Sequence, residues 1–247
     1  GNIDSGNPTV IADFARWGIE NYPAEKYAFI VWNHGWSWSL TNQSASVKGV
    51  SSDDSTGNDI SVAEGELDQL LAEVMEFSDG QLEVFGLDAC IMQSWEIAHE
   101  VEPYAKYYVA SQDYENFDGW NYEDALLDLI ALPEMDGAEF GESIAYRFFQ
   151  TGDLTQSVLD LTQLPVFETT LNAFAQSMIE EGSNQLLRNA AQNAYSYDGS
   201  RGEDHDIGEI LTYVSSHTDS VALQDKADQA NLALESLVIS NYAQDYA

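Results

Sequence analysis

Two residues of this 247-residue chain have side chains that can carry out nucleophilic catalysis together. Cys90 is the single cysteine, and His34 is one of four histidines. A thiolate attacks carbonyl carbons readily, and a nearby imidazole can accept and return the proton. We also expect a helix to begin just after Cys90, where its dipole would favour the thiolate. These residues predict a Cys–His nucleophile and base. In the alternative interpretation, Cys90 is a small buried side chain and His34 an ordinary loop histidine.

Both residues follow apolar runs that are typical of buried strands. One run spans residues 27–32 and precedes His34, and the other spans 82–87 and precedes Cys90. A third run, at 107–110, follows a stretch with helical spacing. Alternating strands and helices predict a parallel sheet with covered faces, and such sheets bind ligands beyond the carboxyl ends of their strands. We therefore expect His34 and Cys90 at one edge of the sheet.

The remaining elements are predicted from periodicity and turn residues. Helical spacing covers residues 61–77, where Ser61 and Glu64 are spaced as a capping box. A closing helical stretch extends to Ile239. Residues 37–59 are polar and acidic, and they form a loop longer than most connections between elements. Loops of this length are usually functional or mobile.

Composition excludes several classes of function. The chain has 43 Asp and Glu against 8 Lys and Arg, a formal net charge of -35, so a nucleic acid would be repelled. Hydrophobic residues at 44% and aromatic residues at 12% exclude a disordered acidic tail. One cysteine excludes an internal disulfide or a multi-cysteine zinc site. The longest uninterrupted apolar run is far shorter than the roughly 20 residues of a membrane span. We expect a folded acidic domain in a saline or calcium-containing setting, with positively charged partners.

The chain carries two motifs, Asn33-His34-Gly35 and Asp88-Ala89-Cys90, each after an apolar strand. In this order they resemble the His and Cys motifs of the clostripain family of cysteine peptidases, which are relatives of gingipain, legumain and caspase. The similarity extends from about Asn7 to beyond Leu211. It implies an α/β fold, a caspase-like three-layer sandwich with a mostly parallel central sheet flanked by helices. We expect a single peptidase domain over residues 1–247.

The resemblance implies a role for each motif residue. Cys90 would be the nucleophile and His34 the general base and acid, and the backbone N–H groups of Gly35 and Cys90 would form the oxyanion hole. An acidic S1 pocket receives Arg or Lys in this family. Asp88 is the best match for its floor and Asp118 is a second candidate. Alternatively, Asp88 caps the following helix and Asp118 makes a turn. The implied function is an endopeptidase, secreted or at the cell surface, that cleaves peptide or protein substrates after basic residues.

The family's activation and calcium dependence suggest further sites. Members are often activated by their own cleavage between the two motifs, and Lys48 is the only Lys or Arg between His34 and Cys90. An incidental exposed lysine is the alternative. The chemistry itself requires no cofactor, but some relatives depend on calcium. The carboxylates of the 53–59 segment, those of Asp53, Asp54 and Asp59, offer oxygen ligands without the spacing of an EF-hand loop.

Two departures from the family pattern support a competing hypothesis. The resemblance implies that the family's first and last strands are missing, and Trp36-Ser37-Trp38-Ser39 replaces the glycine-rich sequence that usually follows the histidine. The competing hypothesis is a catalytically inactive acidic binding or assembly module that retains the caspase-like fold. A thiol-directed probe with a basic residue at P1 discriminates between the two, because only an active peptidase would be labelled.

Overall fold

The computed structural model describes residues 3–38, 49–78, 80–152, 155–197 and 204–243. The chain forms two compact units, one made of Gly1–Leu161 with Ser240–Ala247 and the other of Thr162–Ile239. Both candidate catalytic residues belong to the first unit.

A five-stranded sheet organises the first unit. Its elements in chain order are α1 (Pro8–Asn21), β1 (Ala28–Trp32), β2 (Gly49–Val50), β3 (Ile60–Ser61), α2 (Glu66–Met75), β4 (Leu82–Asp88), α3 (Trp95–Val101), β5 (Ala105–Ala110), α4 (Tyr122–Ala131), α5 (Gly137–Phe149) and β6 (Thr155–Asp160). The last strand, β7 (Val238–Ala243), crosses the boundary between the units. The strand order is β1-β4-β5-β6-β7, with β1, β4 and β5 parallel and β6 antiparallel to β5.

Helices cover both faces of this sheet. Successive residues of a strand point to opposite faces, so Tyr107 and Tyr108 of β5 mark the two sides. On one side Gly137 of α5 packs against Tyr107, where a Cβ would lie 2.5 Å from the ring. On the other side the buried Tyr108 hydroxyl donates to the Met92 carbonyl oxygen, 2.6 Å away, just before α3. The predicted three-layer sandwich with a mostly parallel sheet is confirmed.

The second unit is helical. It contains α6 (Leu164–Glu180), α7 (Asn184–Asn193), α8 (Ile207–His217) and α9 (Val221–Leu237). α9 packs against α6 and α8, and it buries the small side chains of Ala227 and Ala230, which let neighbouring helices approach closely. Among the described residues, no helix has both the length and the apolar character needed to cross a membrane.

Two predicted helix boundaries are wrong. The helix predicted from Ser61 begins at Glu66, because Ser61 pairs with Gly49 in a short antiparallel ribbon, and Gly65 then turns at φ 78°. Glu64 still donates its N–H to Ser61 Oγ at 3.2 Å, but this bond closes a turn rather than a helix cap. The closing helix predicted to reach Ile239 ends at Leu237 instead, and the chain continues as β7.

Candidate active site

The register of two parallel strands brings His34 and Cys90 to the same edge of the sheet. Trp32 of β1 pairs with Asp88 of β4, and the Asn33 N–H donates to the Asp88 carbonyl oxygen at 3.3 Å. His34 lies two residues after Trp32, and Cys90 lies two residues after Asp88. Both residues line one cavity of about 650 Å³.

Aromatic side chains form much of the cavity wall. They are Trp32, Trp36, Tyr114 and Phe117. The Phe117 side chain is 88% exposed, and its ring stands edge-on to the His34 ring, with 6.1 Å between the centroids. A largely apolar wall with a few polar groups is typical of a site that binds an organic ligand and excludes water from it.

Gly35 lies directly against the segment that carries Cys90. A Cβ on Gly35 would overlap the Cys90 carbonyl oxygen and would lie 2.8 Å from Met92 Cγ. Only glycine therefore allows this close approach of the two segments. Any larger residue would push His34 away from Cys90.

The opposite side of Gly35 forms a bridge with Val50 of β2. In this bridge the Trp36 N–H donates to the Gly49 carbonyl oxygen at 3.0 Å, and the Ser51 N–H donates to the His34 carbonyl oxygen at 3.3 Å. The Gly35 N–H takes no part, and it donates to no residue in the described part of the chain. A backbone donor in this state is what an oxyanion hole requires.

The sulfur of Cys90 accepts a hydrogen bond from the Glu115 N–H at 3.2 Å. The Cys90 thiol in turn donates to the Glu115 carbonyl oxygen at 3.7 Å. The first bond favours the thiolate and the second favours the thiol, so both tie the sulfur to Glu115. The predicted contribution of a helix dipole is wrong, because α3 begins at Trp95 and Ser94 caps it by accepting the Ile97 N–H. The dipole field fades within the first turn of a helix, so it does not reach Cys90.

The Asp88 carboxylate is buried against the cavity, with the residue only 1% exposed. Its Oδ2 accepts the Trp120 N–H at 2.9 Å and the Tyr122 hydroxyl at 2.7 Å. Its Oδ1 has no hydrogen-bond partner among the described residues. Burial raises the pKa of Asp88, although hydrogen bonds with the Trp120 N–H, the Tyr122 hydroxyl and the Glu115 carboxyl group oppose that shift. Asp88 does not cap the following helix, since Ser94 does.

Glu115 is a second acid at the cavity, and it was not among the residues predicted from the sequence. Trp120 joins the two acids, because its indole Nε1–H donates to Glu115 Oε1 at 3.2 Å while its backbone N–H donates to Asp88. Asp118 was the second acid predicted from the sequence, but it is exposed and lies outside the cavity lining. Several acids occur in this loop, and their spacing carries no signal that separates Glu115 from the others.

Asp53, one of the three proposed calcium ligands, stabilises a turn. The Asp53 carboxylate accepts hydrogen bonds from the Ser55 hydroxyl and N–H, and from the N–H groups of Ser5 and Thr56. These donors, with the Ser55 hydroxyl first, lower the pKa of Asp53 well below its usual range. No group of three or more His, Cys, Asp or Glu within the described ranges can hold a metal ion, so calcium binding is not supported. Lys48 lies outside the described residues.

Comparisons with known proteins identify the family of this chain and its fold. A sequence model of the clostripain family matches residues 1–246. A search of curated protein sequences gives no match. One similar structure is a secreted cysteine protease of the family from Bacteroides thetaiotaomicron in complex with an irreversible peptide inhibitor. It has a TM-score of 0.72 and 18% identity, over 98% of this chain and 65% of that chain.

A second similar structure is an inactive zymogen of a protease of the family from Parabacteroides distasonis, with a TM-score of 0.69 and 16% identity. The match covers 97% of this chain and 62% of that chain. This chain therefore spans slightly less than two thirds of either structure. The fold is shared at low identity, and the family's sequence model covers nearly the whole chain. The chain belongs to the clostripain family of cysteine peptidases.

Proposed function

We propose that this chain is a cysteine endopeptidase that hydrolyses peptide bonds on the carboxyl side of Arg or Lys. One observation carries the proposal: Asp88, which is buried, lies with His34 and Cys90 among the residues that line one cavity. A thiol, an imidazole and a buried acid in one apolar cavity match the needs of peptide hydrolysis after a cationic side chain.

The reaction would proceed in two stages. The Cys90 thiolate attacks the scissile carbonyl carbon, and the N–H groups of Gly35 and Cys90 donate to the oxyanion that forms. His34 then protonates the leaving amine as the C–N bond breaks, which leaves an acyl group on the sulfur. In the second stage His34 takes a proton from water, and the hydroxide attacks the thioester. The carboxylic acid product departs and the Cys90 thiolate returns.

The S1 pocket would be built around Asp88. A P1 guanidinium or ammonium group can donate to Asp88 Oδ1, which lacks a partner among the described residues. Glu115 adds a second carboxylate, and the indole of Trp32 can cover the aliphatic part of an Arg or Lys side chain. The net charge of -35 attracts cationic peptides, but charge this widely spread does not select the P1 residue.

Cleavage mapping tests this function directly. We expect a mixed peptide library, digested by the chain and analysed by mass spectrometry, to show cuts that follow Arg or Lys. Peptides in which every Arg and Lys is replaced by Gln serve as the control and should stay intact. Frequent cuts after neutral or acidic residues would contradict the assigned S1 pocket.

We further propose that the chain processes itself after Lys48. The support is that Lys48 is the only basic residue between the two motifs, and that the following Gly49 pairs within a β-ribbon that would remain in place after the cut. We expect incubation of the purified chain to give a fragment that begins at Gly49, detected by intact mass. Lys48→Gln and Cys90→Ala should each prevent its appearance. The same fragment from Cys90→Ala would show that another protease makes the cut.

We also propose an extracellular setting, secreted or at the cell surface, with basic protein substrates. The similar Bacteroides thetaiotaomicron protease is described as secreted, and the acidic surface suits a saline environment.

A further inference from the structure

The segment after β5 holds Cys90 from two sides. The Glu115 N–H donates to Cys90 Sγ at 3.2 Å, and the Ile91 N–H donates to the Asp113 carbonyl oxygen at 3.0 Å. The sulfur and the next peptide group along the chain therefore both depend on the short stretch from Asp113 to Glu115. A shift of this stretch would move the thiol or remove its N–H donor.

The backbone next to Cys90 is in an unfavourable conformation. Ile91 has a φ of 57°, a left-handed value that a β-branched residue rarely adopts. Such a conformation persists only where the surroundings fix it. Here Ile91 is 4% exposed, and its N–H is bound to Asp113. The geometry at Cys90 is therefore maintained by the position of Asp113.

Asp113 is in turn fixed by two buried hydroxyl groups. Its N–H lies 3.0 Å from Thr155 Oγ1 and 3.2 Å from Ser111 Oγ, and these two oxygens are 2.7 Å apart. The exposed fractions are 0% for Ser111, 4% for Asp113 and 3% for Thr155. Buried hydrogen bonds are strong, and a buried group that loses its partner has no water to replace it.

We propose that Thr155, the first residue of β6, is a positioning residue for Cys90. Its hydroxyl fixes Asp113, which in turn sets the positions of Ile91 and Glu115, and these two hold the peptide and the sulfur of Cys90. The proposal rests on the role of Cys90 as the nucleophile in the proposed function. The antiparallel strand β6 would thus contribute to catalysis without contacting the substrate.

Three variants test this role. Thr155→Val removes the hydroxyl at nearly constant shape, and Thr155→Ser retains it. The matched control is Ser157→Ala on the same strand, because Ser157 is 1% exposed and its hydroxyl has no partner among the described residues. For each variant we would measure the rate of Cys90 alkylation by iodoacetamide across pH, together with kcat and KM on a cleaved peptide. All measurements are made well below the unfolding midpoint of every variant.

We expect Thr155→Val to lower kcat by about tenfold or more, since small displacements of reacting groups have large effects on rate. Its KM should change less than kcat, because Asp88, the proposed floor of the S1 pocket, keeps its own hydrogen bonds to Trp120 and Tyr122. Alkylation of Cys90 should slow across the pH range, because the sulfur loses its fixed position against Glu115. Thr155→Ser and Ser157→Ala should behave like the unmodified chain.

Two results would overturn the proposal. One is a Thr155→Val variant that matches Ser157→Ala in both kcat and alkylation, and the other is a Thr155→Ser variant as impaired as Thr155→Val. If Thr155→Val fails to fold, Ser111→Ala removes the other hydroxyl that binds the Asp113 N–H, and a Ser111→Ala variant that matches Ser157→Ala in both kcat and alkylation would overturn the proposal. Alkylation requires no peptide substrate. An unmodified chain that alkylates rapidly but cleaves nothing would therefore contradict the proposed function and leave the positioning role to be judged by alkylation.

Discussion

Asp88→Asn should lower kcat/KM for peptides with Arg or Lys at P1 by about a hundredfold or more. In Asp88→Asn the positive charge of the P1 side chain enters a buried pocket that no longer holds a carboxylate to pair with it. An unpaired buried charge costs a large free energy, so the affinity for basic peptides should fall steeply. The Trp120 N–H and the Tyr122 hydroxyl can still donate to the amide oxygen of the substituted side chain. The fold around the cavity should therefore be retained. Steady-state kinetics on matched peptides that differ only at P1 measure the effect.

The matched control is Asp118→Asn, which neutralises an exposed acid of the same region outside the cavity lining. This variant should retain the P1 preference of the unmodified chain. A reversal, with Asp118→Asn impaired and Asp88→Asn unaffected, would place the S1 acid at Asp118.

The raised pKa of Asp88 gives the same test a pH dependence. Below this pKa the carboxyl is neutral, so KM for basic peptides should rise as the pH falls through it, and this rise should be absent in Asp88→Asn. The free energy of unfolding depends on pH in the opposite direction, because the contribution of Asp88 is larger at low pH. The folded state favours protonated Asp88, so this group contributes less stability once the pH rises above the raised pKa. Asp88→Asn should therefore gain stability relative to the unmodified chain between acid and neutral pH.

Cys90→Ala should reduce turnover to background, which for removal of a catalytic nucleophile is a loss of about a millionfold. The side chain is only half-buried, and its replacement leaves the contacts of Gly35 with the Cys90 backbone unchanged. The unfolding midpoint should accordingly shift by only a few degrees or less. Turnover and thermal unfolding, measured on the same preparation, separate lost chemistry from lost structure.

A second variant checks that Cys90 and His34 act as one unit. The double variant of Cys90→Ala with His34→Ala should be no slower than Cys90→Ala alone, because residues that act together are not additive. Cys90→Ala could instead retain substantial turnover that is lost when His34→Ala is added. This result would mean that His34 works with a different nucleophile.

Much of this architecture could be predicted because β1 and β4 are continuous apolar runs. A strand buried on both faces needs such a run, and the observed bounds, Ala28–Trp32 and Leu82–Asp88, lie within one residue of the predicted ones. Parallel pairing then requires the carboxyl ends of the strands to meet at one edge. This is why the sequence places His34 and Cys90 near one another.

The rest depends on contacts between segments that are distant in sequence. Glu115 reaches the cavity through a loop whose course is set by hydrogen bonds from Trp120, and several acids in that loop fit the sequence equally well. The capping box at Ser61 was a valid local pattern, but pairing with Gly49 prevailed over it. The helix dipole assigned to Cys90 failed for a similar reason, because the start of α3 is set by Ser94. Local preference is a weak guide wherever tertiary pairing competes with it.

We propose above all that Cys90 is a reactive thiol within reach of a pocket for basic side chains. The most direct test is the intact mass of the chain after incubation with a thiol-reactive peptide probe that carries Arg or Lys at P1. We predict a single adduct located on Cys90, absent from Cys90→Ala and strongly reduced in Asp88→Asn. A folded chain that remains unlabelled, while iodoacetamide still modifies Cys90, would contradict the account and favour the inactive binding module.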